Sequence, residues 1–301
     1  MASEEKQPPL VNPRYHPLML IQHTDIQQFC EAVWPWLLES EADYCVLVGL
    51  VQRMREKGYV PMSVDELAEP MLLTVQAGEE IELVAIQTLK TMMSVSRGSE
   101  SAMRLLAQEL AARGWQGKAI SGICPAVAQL AEQYERISGR SKRLRVRMRF
   151  FQLMGVTMPP AAPGKLHRAT ADDRGVLARF LKEFDDWLGE SIEESYQSRA
   201  DRIIGEGRAY FWLDEEPVSM ALWTGRTPRG VRITCVYTPA IFRRRGYASN
   251  LVAHLSQRLL DEGHSFCFLN TDLSNPTSNS IYQKIGYKPT CDSEIWEFGH
   301  L

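Results

Sequence analysis

A basic loop with one glycine is the clearest candidate for chemistry in this chain. It runs from Arg243 to Ser249 and carries the pattern R-x-x-G-x-A. Small residues let a backbone approach a ligand closely, and the first turn of a helix presents unpaired N–H groups and a positive dipole to an anion. Three consecutive arginines add donors that suit phosphate oxygens. The loop therefore predicts a phosphate site; the alternative is an ordinary strand-to-helix connection with a solvated basic loop.

A second polar motif follows at residues 275–287. Asn275 stands directly before a proline, which fits a helix start, and Gly286 fits the end of that helix. Between them lies Tyr282, whose phenol is protonated at neutral pH because its ordinary pKa is about 10. Such a group can act as a general acid. The alternative is a packing tyrosine on the apolar stripe of its helix.

The two motifs, separated by an apolar strand-like run at residues 266–269, closely resemble those of the GNAT superfamily of acyl-CoA-dependent N-acyltransferases. The R-x-x-G-x-A loop is similar to the family's pyrophosphate loop, and the resemblance covers about residues 165–298. The residues that match the family's second signature are Asn275, Tyr282, Gly286 and Tyr287. The cofactor-binding residues that the resemblance implies are Val236, Tyr237, Thr238, Arg243, Arg244, Arg245, Gly246, Tyr247, Ala248, Ser249, Asn275 and Ser278.

The resemblance also implies a mechanism, with acetyl-CoA (coenzyme A) as co-substrate, no metal, and direct attack of a primary amine on the thioester. Asn275 would contact the cofactor arm, and Tyr282 would lie near the sulfur and protonate the departing thiolate. Backbone N–H groups from Val236 to Thr238 would hold the thioester carbonyl. Two alternatives stay open: a longer acyl-CoA or an amino-acid acceptor, as in the glycine-acyltransferase branch, and a non-catalytic acyl-CoA-binding regulatory module.

The general base and the acceptor are less well defined. The run from Val231 to Thr238 offers no carboxylate, so Asp272 is the best remaining candidate for the general base. Asp272 is equally well explained as an ordinary aspartate before a helix. A water relay, or a substrate amine of low pKa, would need no carboxylate at all. The acceptor is a small-molecule or peptide amine. The candidate aromatic wall residues are Trp187, Trp212, Trp223 and Tyr196. An acidic rim would attract an ammonium group, although a solvated acidic helix explains the same residues, which are Glu183, Asp185, Asp186, Glu190, Glu193 and Glu194.

Residues 158–164 contain three prolines and a glycine, which predicts a boundary between two parts of the chain. The predicted helices and strands follow one another in a similar order before and after this boundary. In the second half the patterns predict strands at 166–169, 231–238 and 266–269, a hairpin at 209–213 and 218–224, and helices from Thr170, from the arginine loop and from Asn275. In the first half they predict helix over 26–54 with a break or kink at Pro35, a hairpin at 71–76 and 81–89, helices at 100–113 and from Cys124, and a strand at 144–153.

This order predicts an α/β (α+β) fold of tandem GNAT-like domains, each with a mixed, mostly antiparallel sheet flanked by helices. The predicted parts are a degenerate domain at 1–157, a linker at 158–164 and a catalytic domain at 165–301. The first domain lacks R-x-x-G-x-A at residues 94–101, where Glu100 would repel a phosphate, so we expect it to bind no cofactor. We expect it instead to cover one edge of the catalytic sheet and to wall off the acceptor site.

Composition excludes several classes of protein. A net charge of -3 gives no general attraction to nucleic acid or membrane, and the arginine-rich residues 136–149 alternate like a strand with one solvated face rather than a nucleic-acid patch. Six cysteines and six histidines are scattered, without metal-ligand spacing. We expect the acidic start not to act as a leader, and no apolar run is long enough to predict a membrane span. The expectation is a cytoplasmic protein without a metal site, whose oligomeric state the sequence does not specify.

Overall fold

A computed structural model of the protein describes residues 16–61, 63–189 and 194–299. Apolar periodicity and the expected turns give the first half six strands and four helices within that part of the chain. They are β1 (Leu18–His23), α1 (Ile26–Leu38), α2 (Cys45–Lys57), β2 (Glu66–Ala77), β3 (Glu80–Leu89), β4 (Met92–Val95), α3 (Glu100–Ala112), β5 (Ala119–Ile123), α4 (Ala126–Ser138) and β6 (Lys142–Leu153).

The second half repeats this order. Its elements are β7 (Lys165–Arg168), α5 (Arg174–Leu188), α6 (Tyr196–Gly205), β8 (Ala209–Asp214), β9 (Glu216–Thr224), β10 (Gly230–Tyr237), α7 (Tyr247–Asp261), β11 (Phe266–Asp272), α8 (Pro276–Ile285) and β12 (Lys288–Phe298). Thr170 begins the approach to α5 with a capping box to Asp173. Of the helices that the structure describes, none combines the length and apolar character needed to cross a bilayer.

All the strands join in one twelve-stranded sheet of order β1-β2-β3-β4-β5-β12-β6-β11-β10-β9-β8-β7. Pairing is parallel between β4 and β5 and between β10 and β11, and antiparallel elsewhere. In each half, therefore, four antiparallel strands are followed by a fifth that pairs parallel with the fourth, and the sixth strand pairs antiparallel with its neighbours. This confirms the prediction of two copies of a mixed, mostly antiparallel α/β fold.

The two halves exchange their last strands at the centre of the sheet. Strand β6, from the first half, pairs with β11 of the second, with Thr271 opposite Arg149. Strand β12, from the second half, pairs with β5 of the first, with Trp296 opposite Ile120. The halves are thus interlocked, and the first half is more than a cover for one sheet edge. The predicted domain boundaries, with the first domain ending at residue 157 and the second beginning at residue 165, stay a prediction about how the domains follow one another along the chain.

Helices cover both faces of the sheet. Leu72 packs with α1 and α2, whereas its neighbour Leu73 packs with α3 and α4 on the opposite face. In the second half Phe211 packs with α5 and α6, and Trp212 packs with α7. Between the halves, the buried carboxylate of Glu41 accepts hydrogen bonds from the backbone N–H (2.8 Å) and Nε (2.6 Å) of Arg229.

Of the predicted break or kink at Pro35, the break is wrong, because α1 runs through this residue; a kink stays a prediction. Proline removes one backbone hydrogen bond, to the carbonyl four residues earlier. Here both Pro35 and Glu31 are exposed, so water can satisfy that carbonyl. The buried residues Phe29, Val33 and Leu37 lie on both sides of Pro35 along the helix and hold α1 against the sheet. The chain turns instead at residues 39–44.

From Lys142 onward the arginine-rich segment is a strand with one charged face, as its alternation predicted, whereas Arg136 belongs to α4. Carboxylates on β12 meet its arginines across the ladder: Arg149 bonds Asp292 at 2.8 Å, and Arg147 bonds the buried Glu294 at 2.5 Å. Cross-strand ion pairs of this kind add modestly to sheet stability.

Candidate active site

Strands β10 and β11 separate and open a wedge in the sheet. They pair only at Gly230 with Phe266, Val231 with Cys267, and Arg232 with Phe268. Further along β10 the register with β9 shifts between Thr234 and Tyr237, and Cys235 takes a left-handed φ of 49°. A bulge of this kind bends a strand away from its neighbour. The backbone from Val236 to Thr238 is therefore free of β11.

A cleft of about 540 Å³ lies at this wedge, where the N-terminal ends of α7 and α8 converge. Its lining contains most of the predicted cofactor residues. The lining residues are Trp187, Val236, Tyr237, Thr238, Phe242, Arg243, Arg244, Gly246, Tyr247, Ala248, Ser249, Asn275, Thr277, Ser278, Ile281 and Tyr282. The sequence did not single out Phe242 or Thr277. Nor did it single out Ile281 as a lining residue, although Ile281 lies three residues after Ser278 on the same helical face.

The glycine loop leaves the first turn of α7 open. Arg244 and Gly246 have φ of 64° and 82°, which bends the chain sharply into the helix. No side chain caps α7, and the N–H groups of Tyr247, Ala248 and Ser249 have no partner among the described residues. Unpaired N–H groups at a helix start bind anions. This terminus can accept a phosphate oxygen.

The three arginines differ in their surroundings. Arg243 and Arg244 line the cleft, and Nε of Arg243 donates to the Thr238 carbonyl at 2.9 Å. Arg245 lies outside the lining, beside the Tyr247 hydroxyl. That hydroxyl donates to Asp214 at 2.5 Å, and the bond raises the pKa of Tyr247. Two of the three predicted arginines therefore lie at the cleft, whereas the third, Arg245, lies beside the hydrogen-bonded pair of Tyr247 and Asp214.

Asn275 and Ser278 lie together on the cleft wall. The Asn275 side-chain oxygen accepts from the Ser278 backbone N–H at 3.1 Å and caps α8. Its amide nitrogen has no partner among the residues that the structure describes. The cap thus orients Asn275 and leaves its two N–H donors free for a ligand.

Tyr282 reaches the cleft from α8 and is 8% exposed. Its ring packs against Phe151 and Tyr287, with ring centroids 6.3 and 5.9 Å away. Burial raises the pKa of Tyr282 to about 12. Its hydroxyl makes no hydrogen bond within the described chain. The cleft therefore holds a protonated phenol whose donor is available to a ligand.

Asp272 does not line the cleft. Its carboxylate is exposed and accepts from the backbone N–H and the hydroxyl of Ser274, at 2.8 and 2.7 Å. Alternation along β11 places Asp272 on the same face as Phe268, which packs against Ala42 and Cys45 at the N-terminal side of α2. That face is opposite the one covered by α7 and α8. A role for Asp272 as base stays a prediction.

The predicted acceptor residues separate into several groups. Trp187 lines the cleft and is 57% exposed, whereas Trp212, Trp223 and Tyr196 lie outside the lining. Three of the acidic side chains form ion pairs at 2.6–2.8 Å: Asp185 with Arg199, Asp186 with Lys182, and Glu194 with Arg202. Burial, and then the negative charge of Glu183, raise the pKa of Tyr237. Glu190 and Glu193 fall outside the described residues.

Known proteins resemble this chain in fold and in part of its sequence. Residues 212–296 match the family model described as FR47-like protein. No curated protein sequence matches the chain significantly. A GCN5-related N-acetyltransferase from Sphaerobacter thermophilus is 14% identical, with 92% of this chain and 95% of that chain covered and a TM-score of 0.61. A GNAT-family acetyltransferase from Colwellia psychrerythraea is 11% identical, with coverage of 93% and 98% and a TM-score of 0.54.

A tandem GNAT protein from the clavulanic acid biosynthesis pathway is similar over nearly its whole length. It is 15% identical, with 95% of this chain and 100% of that chain covered and a TM-score of 0.52. At such identities the likeness concerns the fold, and the family model covers the wedge, the glycine loop and α8. The chain therefore has the tandem fold of the GCN5-related N-acetyltransferase superfamily, with FR47-like sequence in its second half.

Proposed function

We propose that the protein is an acyl-CoA-dependent N-acetyltransferase that acetylates a primary amine of a small molecule or peptide. The observation that carries this proposal is one cleft with an open helix terminus at one side and a buried, unpaired phenol at the other. The N–H groups of α7 with Arg243 and Arg244 suit a pyrophosphate. The wedge exposes backbone that can pair with the amides of the pantetheine arm, and Asn275 adds side-chain donors.

The proposed reaction uses these groups in the following order. The neutral amine attacks the thioester carbonyl and forms the C–N bond. Backbone N–H groups between Val236 and Thr238 stabilise the negative oxygen of the tetrahedral intermediate. The C–S bond then breaks while Tyr282 donates a hydrogen bond to the departing sulfur, and the phenol proton passes to sulfur only as the amide nitrogen releases its own. The proton lost by the amide nitrogen restores the phenol.

The high pKa of Tyr282 limits how it can act. A thiol has a pKa of about 8.5, so complete transfer from a phenol of pKa about 12 to a free thiolate is uphill by roughly 5 kcal/mol. A hydrogen bond donated to the sulfur as its charge develops does not carry that full cost. Tyr282 therefore assists departure chiefly by stabilising the transition state.

Acetyl-CoA is expected to stabilise the protein against heat. A ligand present at about 100 times its dissociation constant adds roughly 2.7 kcal/mol to the free energy of unfolding. Differential scanning fluorimetry with acetyl-CoA, longer acyl-CoAs and ATP, followed by thiol detection of CoA release with a panel of amines, tests the proposal. Absence of a shift with every CoA thioester overturns it. A shift without turnover would indicate a regulatory binding module, and preference for a longer chain would identify a different acyl donor.

Replacing Gly246 with alanine is expected to weaken acetyl-CoA binding at least tenfold. A φ of 82° is disfavoured for a residue with a Cβ, by roughly 1–2 kcal/mol, so the loop will shift. Space is not the cause, since an added Cβ would lie 3.6 Å from Ala162. Gly263→Ala is the matched control, because Gly263 has φ of 99° beyond the far end of α7 and nothing within 4 Å. Isothermal titration should show weaker binding for Gly246→Ala alone; equal affinities in both variants would contradict a backbone contact.

A further inference from the structure

A second cavity, of about 540 Å³, lies in the first half, lined by α1, α2 and the residues that follow α2. On α1 the lining residues Ile26, Cys30 and Trp34 recur every fourth position and therefore share one face of the helix. Met54 and Tyr59 line the other side. Cys30 and Met54 are buried, and Trp34 and Tyr59 are partly buried. The cavity therefore offers a small molecule an apolar floor and two aromatic side chains.

The indole ring of Trp34 already holds a cation. The guanidinium carbon of Arg55 lies 4.3 Å from the centre of this ring. Of the aromatic side chains, tryptophan attracts a cation most strongly. Arg55 is exposed and forms no ion pair within 4 Å in the part of the chain that the structure describes. Arg55 therefore shows where a cationic group binds in this cavity, and its exposed side chain can give way to a ligand.

Two carboxylates line the same cavity. Glu31 accepts a hydrogen bond from Nε2 of Gln27 at 3.0 Å, and Glu56 accepts one from Nε2 of Gln52 at 2.8 Å. Neither carboxylate forms an ion pair within 4 Å among the described residues. Two carboxylates against the single guanidinium of Arg55 give the charged lining residues a negative balance. Such a lining attracts a cation and repels an anion.

Gln52 adds an acceptor that a cationic ligand can use. Its Oε1 atom is buried and accepts no hydrogen bond within the described chain. A buried acceptor without a partner costs free energy. Ammonium and guanidinium groups carry several N–H donors and no acceptor, so either can satisfy this oxygen. The indole face, the two carboxylates and the Gln52 oxygen therefore favour the same ligand chemistry.

We propose that this cavity binds a small organic cation, a guanidinium or ammonium group on an alkyl stem, in the place that Arg55 takes on Trp34. The cation lies on the indole face near the carboxylates of Glu31 and Glu56, and its stem packs on the apolar floor. Arg55 turns out into solvent as the ligand enters. The site lies in the half without the glycine loop, so binding there is independent of the proposed acetyl transfer.

Isothermal titration with butylguanidinium, in the absence of acetyl-CoA, tests the site, because this probe copies the Arg55 side chain and carries no nucleophilic amine. The wild type should bind it, and Trp34→Leu should weaken binding at least tenfold. A variant with both Glu31→Gln and Glu56→Gln should also weaken it at least tenfold. Glu39→Gln is the control, since Glu39 follows α1 outside the cavity, and it should bind like the wild type. Circular dichroism verifies that each variant is folded.

Arg55→Ala separates a cation site from an anion site. Removal of the competing guanidinium should tighten butylguanidinium binding at least threefold, whereas a cavity that uses Arg55 to hold an anion would gain nothing. Titration with butylammonium then identifies the preferred head group, as the one whose binding is tighter and is lost in the double glutamine variant. Absence of binding to both the wild type and Arg55→Ala would overturn the proposal. Equal affinity in the wild type, Trp34→Leu and the double variant would overturn it as well.

Discussion

Ending the chain after Tyr287 is expected to unfold the first half of the protein together with the second. This change removes β12, which lies between β5 and β6. It also removes Phe298, whose ring packs edge-on against Tyr134 and Trp115 in the core under α3 and α4. Loss of one buried Phe side chain costs about 3–5 kcal/mol. Domains are stable by only about 5–15 kcal/mol, so loss of a whole central strand exceeds what either half can sustain.

Circular dichroism and limited proteolysis of the truncated chain test this expectation. The control ends after Gly299, which keeps β12 and the hydrogen bond that Arg140 Nε donates to the Gly299 carbonyl at 2.8 Å. This control should unfold cooperatively, with the same melting temperature as the wild type. A protease-resistant fragment covering β1 to β5 in the shorter chain would show that the first half folds independently.

Tyr282→Phe is expected to lower kcat by 10²–10⁴ while acetyl-CoA binding and stability stay close to those of the wild type. The hydroxyl has no partner within the described chain, so its removal leaves no buried group unpaired. The ring contacts with Phe151 and Tyr287 remain. Because burial raises the pKa of Tyr282 to about 12, the phenol stays protonated at neutral pH and ionises only as the pH approaches 12. The wild-type rate should therefore show no alkaline loss from Tyr282 near neutral pH.

Steady-state kinetics and fluorimetry on a matched pair of variants test the role of Tyr282. Tyr287→Phe also deletes one phenolic oxygen, but that oxygen bonds the Ser256 hydroxyl at 2.8 Å in the core. This control should lose stability, because Ser256 is buried, and keep kcat. Equal turnover in Tyr282→Phe and the wild type would remove Tyr282 from the mechanism.

Local sequence was sufficient to predict the parts of the cleft that depend on neighbouring residues. The R-x-x-G-x-A spacing located the start of α7, and Asn275 before a proline located the cap of α8. The alternation of Val231 to Tyr237 gave the strand but not its bulge, since nothing in that pattern indicates positive φ at Cys235. Strand pairing depends on contacts between segments that are distant in sequence. The positions of β6 and β12 in the sheet could therefore not be predicted from periodicity.

The two copies differ where the second carries its cleft. In the first half, β4 and β5 stay paired as far as Val95 and Gly122, where a Cβ on Gly122 would lie 2.8 Å from the Val95 carbonyl. At the start of α3 the Ser99 side chain accepts from the Ala102 N–H at 3.2 Å, and Glu100 follows. A closed strand pair and an occupied, acidic helix start both disfavour a phosphate there.

The exchange of last strands also bears on how the protein is made. Multidomain chains commonly fold from the N-terminus while synthesis continues. Here the first half has to wait, because β12 follows every other described strand in the chain and lies between β5 and β6. Until β12 leaves the ribosome, β5 keeps an open edge that can pair with other chains. We therefore expect the nascent chain to depend on chaperones until the whole sheet closes in one step.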